Sequence, residues 1–410
     1  MNRRETAWRV VAMAWLAVIG WLTLRPAPDQ AARVAALHWY CISCGDSGSA
    51  DIVLNILLFI PLGLAARALR IRCSRLLAVV VPLTVMIEVT QGLFLVGRDA
   101  SLGDVLTNTT GAALAWWLYP AMSRLGGQSA TEGRRHAAAV LGCIAAVFLI
   151  SGVAFSPVPA DDGPWVGQIL YRWAGHDPFP GTIQRASVNG TTIPNDPLDS
   201  MPRVTDRINL TIEAARTSDT LPARSASLVR VVDADHRTRV SVSEISSALV
   251  LEVALRGARW GFHAPSWRFD RMMDIPLGTP VQFDFAWSRA GVRLNRIGLP
   301  AGVTRAETIT PTLDVGWAFV HPFVDTIDPR AIWWSILWIG WWWGWLGWTS
   351  GAAGWRFTAA AGFASAVIVA LAAAITGVAA GGVELFAAPA ALIIGATAVS
   401  RLRSKRATNS

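Results

Sequence analysis

Charge is scarce in this 410-residue chain: Asp, Glu, Lys and Arg make up 16% of it, 53% is hydrophobic, and the mean hydropathy is +0.40. That balance excludes a soluble globule and places most of the chain in a bilayer. Cysteine is also scarce, at four residues. Cys41 and Cys44 in "YCISCGD" have no second pair to complete a zinc site and no thioredoxin-like surroundings, which leaves a small local disulfide in an outer loop as the expectation. The first apolar run lacks a small-residue cleavage site and so reads as an uncleaved span. No transporter-type internal repeat is present. The net charge of +8 and pI near 10.3 would suit nucleic acid, yet the Lys and Arg residues fall in short clusters beside apolar runs. That is the signature of a membrane protein's inner loops, and nucleic acid is excluded as a partner.

A spanning helix needs about 20 mostly apolar residues. About eight segments qualify: 7–24, 51–69, 76–96, 102–121, 137–155, 331–348, 357–377 and 383–400. Arg3, Arg4 and Arg9 then put the N-terminus in the cytoplasm, and the clusters Arg67 to Arg75, Arg124 to Arg135, Arg356 and "RLRSKR" at Arg401 to Arg406 all fall inside. The outer loops are 25–50, "VGRDASLG", the long segment 156–330, and "TGVAAGG".

Polar residues interrupt three of these spans. Glu88 and Gln91 lie in the outer half of the third, Glu88 about 12 Å of helix below Val96. The second and fourth spans each open with a carboxylate followed four residues later by an amide, Asp51 with Asn55 and Asp104 with Asn108, a spacing that shares one helix face. Arg98 and Asp99 occupy the turn between. An acidic residue at bilayer depth costs about 2.5–3.5 kcal/mol and usually faces a bundle interior or a water-filled cavity. A set of interhelical polar locks would account for the amides, and macrodipole complementation for Asp51 and Asp104. A ligand pocket accounts for the carboxylates together with Arg98. Oxygen ligands would suit Mg2+ or Ca2+, but no His or Cys stands at ligand spacing in these helices and no metal or cofactor is assigned.

The succession "DIVLNILLFIPLG", "IEVTQ", Arg98 and "GDVLTNTTG" resembles the VanZ-like membrane domain, over roughly residues 10–120. The resemblance rests on Asn55, Phe59, Pro61, Gly63, Glu88, Gln91, Arg98, Asp104, Asn108 and Gly111. That family is named for a protein associated with resistance to the glycopeptide teicoplanin, which implies a role in the bacterial envelope without supplying a mechanism.

Between Ser156 and Arg330 the pattern changes to alternating, turn-rich sequence. The segments 208–216, 227–234, 239–255, 280–287 and 291–298 show the period-two alternation of half-buried strands, which predicts an antiparallel sandwich outside the membrane. "LTIEAARTS" and "GTPVQFDFAWSRAGVRLNRIG" resemble the concanavalin A-like, laminin-G-like jelly roll, a fold that often binds glycans. In "RWGFHAPSWRFD", Trp260 and Trp267 are the candidate sugar-stacking rings, weighed against filling the core or meeting the membrane interface. Asp233, Asp235 and His236 read as a polar hairpin turn more than a calcium site. Glu384, at the outer start of the last span, reads as a helix-start charge. Finally, "IWWSILWIGWWWGWLGW" crosses the bilayer with eight tryptophans.

The expectation is therefore an α-helical integral membrane bundle with an inserted extracytoplasmic β-sandwich, divided 1–155, 156–330 and 331–410. It sits in the cytoplasmic membrane with both termini inside. Asp51, Asn55, Glu88, Gln91, Arg98, Asp104 and Asn108 are expected to bind a lipid-linked envelope precursor or a glycopeptide, and the sandwich a cell-wall glycan or a protein. Binding ranks ahead of an enzyme acting on such a lipid and ahead of a purely structural anchor.

Overall fold

The computed structural model describes residues 3–26, 40, 42, 48–98, 100–124, 129–158, 164–170, 177–194, 198–201, 207–222, 224–235, 237–299, 302–321, 326–327 and 331–407. The chain forms two compact units, Met1–Gly133 with Arg401–Ser410, and Arg134–Ser400. Long helices occur at all eight apolar segments: α1 (Arg3–Thr23), α2 (Gly48–Ala68), α3 (Cys73–Phe94), α4 (Leu102–Arg124), α5 (Ala130–Ala154), then α7 (Ile332–Gly351), α8 (Trp355–Thr376) and α9 (Val383–Ala407), with the short α6 (Arg256–Arg259) between. Among the described residues six of these are long and apolar enough to cross a membrane: α1, α2, α3, α5, α8 and α9. The protein is thus a multi-pass membrane protein. Two helices fall short of that apolarity, α4 because it carries Asp104, Thr107, Asn108, Thr109 and Thr110, and α7 because tryptophan and glycine replace aliphatic side chains.

In the first unit, α2 and α4 approach until backbone meets backbone. A side chain at Gly111 would strike the Ile56 carbonyl, and one at Gly63 the Ala112 carbonyl. Small residues permit this approach where water supplies no hydrophobic drive between helices. Ile19, Phe59, Leu62, Leu76, Val80 and Ile87 fill the space between α1, α2 and α3. The Trp15 indole N–H donates to the Leu58 carbonyl at 2.6 Å, tying α1 to α2. At the basic end, the Trp116 indole N–H donates to the Ile71 carbonyl at 2.8 Å, and the Arg67 guanidinium lies 4.3 Å from the Trp116 ring.

The second unit joins α5, a β region and α7 to α9. The β region has two sheets. One orders its strands β13-β9-β8-β7-β6-β1-β4 and the other β12-β11-β10-β5-β2-β3, with β1 at Trp165–Ile169, β2 at Gly181–Val188, β3 at Thr191–Ile193, β4 at Leu198–Met201, β5 at Arg207–Arg216, β6 at Ala226–Val232, β7 at Thr238–Ile245, β8 at Ala248–Val253, β9 at Ser266–Phe269, β10 at Val281–Ser288, β11 at Gly291–Gly298, β12 at Gly302–Ile309 and β13 at Thr326–Ile327. All pairings are antiparallel except β13 with β9. The run 239–255 breaks at Ser246 and Ser247 into the β7–β8 hairpin. Asn189 and Gly190, both at positive φ, form the two-residue turn between β2 and β3, as right-handed strand twist favours. The two inner faces pack together, with Trp267 edge-on to Trp287 at 6.3 Å and Phe269 edge-on to Phe285 at 6.1 Å. A buried ion pair crosses between the sheets: Arg216 on β5 bonds Glu244 on β7 at 2.8 Å.

The β region is fastened to the helices of its unit. Phe155, at the end of α5, meets Phe319 at 4.7 Å, and Phe148 meets Trp343 at 5.5 Å. This packing places α5 from Arg134 onward in the second unit. The tryptophans of α7 part company: Trp343 is buried and donates to the Ser365 hydroxyl at 3.0 Å, whereas Trp333 and Trp341 are exposed, as lipid-facing rings would be.

Candidate functional site

Three of the polar residues in the first unit cap helix ends. A helix leaves its first N–H groups and last C=O groups without partners, and in a bilayer no water replaces them. At the start of α4, Ser101 is the N-cap, its hydroxyl accepting from the Asp104 N–H at 3.4 Å. The Glu88 carboxylate, reaching from α3, accepts the Ser101 N–H at 2.8 Å. A capping box normally makes that bond from within the same helix. Glu88 is 6% exposed, so its placement is a true burial of an acid against the positive end of α4. At the end of α1 the polarity reverses. The Gln91 amide donates to the Thr23 carbonyl at 2.8 Å, and Arg98 donates through Nε to the Arg25 carbonyl at 3.0 Å and through Nη2 to the Leu22 carbonyl at 3.4 Å.

The other predicted residues are placed differently. Asp51 is exposed in the first turn of α2, and Asn55 is half-buried one turn further on. Asn55 precedes Ile56, whose carbonyl receives Gly111, and Asn108 lies three residues before Gly111 on the same face of α4. The two amides therefore flank the closest approach of α2 and α4. Asn108 is 2% exposed, and its Oδ1 has no hydrogen-bond partner among the described residues. Cys41, Cys44, Asp99 and His236 lie outside the described residues, so the disulfide falls there too. Among the described residues no three His, Cys, Asp or Glu side chains gather as a metal site.

The two aromatic candidates of the β region are placed differently, and Trp267 requires a correction. Trp267 is 1% exposed and sealed between the sheets, so it has no face to offer a sugar. Trp260 is 41% exposed, but it ends α6, whose Arg256 N–H bonds the Ser156 carbonyl just beyond α5. Asp233 is consumed internally: Oδ1 accepts the Asp235 and Arg237 N–H groups, and Oδ2 bonds Arg239 at 2.8 Å, leaving nothing for calcium.

Sequence reasoning missed Asp314, in the 3-10 turn Leu313–Phe319. This carboxylate is 3% exposed, and burial holds its pKa above the usual carboxylate range against hydrogen bonds from Thr312 and Ser335. Nearby, burial and then the charge of His263 lower the pKa of His321. No motif marks Asp314, since an isolated acid in "PTLDVGWAF" looks like any loop residue.

Residues 11–123 match the VanZ/LLP1 family model, which covers the capped helices α1 to α4 and leaves the β region and the last three helices unmatched. No curated protein and no solved structure matches the chain.

Proposed function

We propose that this is an envelope protein of the cytoplasmic membrane whose VanZ-like segment binds the donor-rich headgroup of a lipid-linked envelope precursor or a glycopeptide in an outward-facing pocket, contributing to teicoplanin tolerance. The eight-span topology, with both termini inside and residues 156–330 outside, is part of this reading and rests on the placement of the basic clusters. One observation carries the pocket: the unpartnered amide oxygen of the buried Asn108. Leaving such a group unsatisfied costs about 1–3 kcal/mol, and a ligand N–H or O–H would recover it. Asn55 lies one turn along α2 from Asp51, and Arg98 is committed to the end of α1. An unpartnered amide oxygen beside a committed arginine favours sugar hydroxyls and peptide amides over a phosphate. Within the seven residues, Glu88, Gln91 and Arg98 hold the pocket's frame, and Asp51, Asn55, Asp104 and Asn108 face the ligand.

The β region is proposed as a concanavalin A-like sandwich that contacts glycan or protein. Support comes from the polar outer face of its six-stranded sheet, where Thr211 and Gln282 both donate to Asp284 and Arg293 donates to Asn295. The alternative, a purely structural lock, draws on the same helix-end caps. Asn108→Leu separates the two. In a deletion strain, a binder predicts a variant at least as stable as wild type that fails to restore teicoplanin tolerance. A well-expressed variant that restores tolerance fully would remove the pocket.

A further inference from the structure

One end of the β region stands against the membrane helices of its unit, and that end is rich in arginine. The Arg256 N–H donates to the Ser156 carbonyl at 2.8 Å and the Val158 N–H to the Ala254 carbonyl at 3.1 Å, which joins the end of α5 to the segment after β8. Pro157, Val158, Trp165, Ile208, Arg239 and Val253 line one small cavity, so the starts of β1, β5 and β7 and the end of β8 lie together here. The end of β10 returns to the same place, with Ser288 opposite Arg207 at the start of β5. Past the β10–β11 turn, a side chain at Gly291 would come within 2.9 Å of the Ile309 carbonyl oxygen. Just beyond Ile309, the Leu313 N–H donates to the Ala379 carbonyl of the α8–α9 loop at 2.9 Å. The apolar part of α5, Ala137 to Ala154, is about 27 Å long at 1.5 Å per residue, close to the hydrocarbon thickness of about 30 Å, so Ser156 falls at the headgroups. Leu149 and Ile150 on the last turns of α5, and Ile332 and Trp333 at the start of α7, are exposed as lipid-facing side chains would be.

We propose that Arg256, Arg259 and Arg289, with Trp260, form a surface that binds the headgroups of anionic phospholipids in the leaflet beneath the β region. Arg256, Arg259 and Trp260 are spaced i, i+3 and i+4 in α6, which puts them on one side of the turn. Gly257 is buried against Phe319 and Ala154. Arg259 and Arg289 are exposed, and the Arg256 Nε has no hydrogen-bond partner among the described residues. Neither 254–263 nor 286–293 contains an acid. The acids of the β6–β7 turn at this end are taken, Asp233 by Arg239 and Asp235 by Arg237. Toward the opposite end, Arg216 and Arg268 are each bonded to a carboxylate, Glu244 and Asp270. A guanidinium offers paired N–H groups to phosphate oxygens, and its stem lies along apolar surface while the charged head reaches the headgroups. An indole settles at the same boundary between hydrocarbon and water. Each arginine near an anionic surface contributes about a fivefold preference for it. Lipid bound here would hold one end of the sandwich on the membrane and leave the polar outer face of its six-stranded sheet clear of the bilayer. The inference rests on α5 crossing the bilayer and not on the pocket of the first unit.

Hydrogen exchange of the full chain tests this in nanodiscs of phosphatidylcholine alone and of phosphatidylcholine mixed with phosphatidylglycerol. Amides of 256–261 and 289–291 are expected to exchange about fivefold more slowly, or slower still, when phosphatidylglycerol is present. Those of Ser246 and Ser247, in the β7–β8 turn at the far end, should not change. Replacing Arg256, Arg259 and Arg289 together by Gln should remove the slowing. Equal exchange in the two lipid mixtures overturns the surface, and this comparison uses wild type alone, so no folding defect of a variant affects it. A triple variant that keeps the full slowing also overturns it. So does inorganic phosphate that reproduces the slowing in phosphatidylcholine discs, because the site would then take a free anion. Since no readout involves teicoplanin or the VanZ-like segment, failure here leaves the proposed function standing.

Discussion

Glu88 separates a capping role from a charge-dependent one, because the cost of each substitution follows from a single bond. Its carboxylate accepts the Ser101 N–H at 2.8 Å in a buried setting. In Glu88→Gln an amide oxygen of the same reach still accepts that N–H. The change loses charge assistance, about 1 kcal/mol by comparing charged with neutral hydrogen bonds, and up to about 1 kcal/mol of attraction to the positive end of α4. Against this, a carboxylate no longer has to be buried at bilayer depth, a relief of about 2.5–3.5 kcal/mol. The terms oppose one another, so Glu88→Gln should melt within about 1 kcal/mol of wild type or slightly above it. Glu88→Ala deprives the Ser101 N–H of this acceptor at a cost of about 1–3 kcal/mol, and it also opens a cavity. Thermal unfolding of both variants in the same detergent, followed by circular dichroism, is the assay. If Glu88→Gln falls as far as Glu88→Ala, the capping argument is wrong and the charge itself is required, as a bound cation or a catalytic carboxylate would require it.

Three further outcomes are expected. Burial raises the Glu244 pKa from 4.5 to about 7 against the opposing pull of Arg216. The folded state therefore binds this proton more tightly, and the contribution is full below about pH 4.5 and lost as pH rises through about 7, a decline on the order of 3 kcal/mol. Glu244→Gln should flatten this part of the stability profile between about pH 5 and pH 8; an unchanged slope would refute the assignment. Gly111→Leu should abolish recovery of folded protein by size-exclusion chromatography because its side chain enters the Ile56 carbonyl. Gly142→Leu, with no atom within 4 Å of its added Cβ, should behave as wild type.

The helices were legible from sequence because a bilayer demands one thing of every spanning segment, and apolar length reports it directly. Strands were legible where one face is buried, as in β5, β10 and β11, whose alternation appears in the burial of the structure. The short strands β3, β4, β9 and β13 were not: two to four residues carry too little period to read. Trp267 shows a different limit. An aromatic-rich stretch looks alike whether its rings face solvent or a partner sheet, and only the register that sets Trp267 beside Trp287 decides. Glu88 and Gln91 were found by their depth and Arg98 by its place in the turn between two spans, but their partners are backbone groups, which leave no mark in a residue pattern. Asp314 was illegible because an isolated acid in a turn leaves no pattern, and its burial comes from elements distant in sequence.

The caps also bear on why the polar residues cluster at one end of the first unit. Where α1 ends and α4 begins, carbonyls and N–H groups are left over that the helices themselves cannot satisfy. Gln91 and Arg98 supply donors to the first, and Glu88 supplies an acceptor to the second. Those bonds fix the ends of three helices against one another and account for three of the seven polar side chains without invoking a ligand. They do not account for Asn108, which lies beyond the first turn of α4, at a point where the helix backbone needs no cap. A lock alone would gain by replacing that amide with leucine. That unpartnered oxygen is what the caps leave over, and it is what the proposal of a ligand pocket rests on.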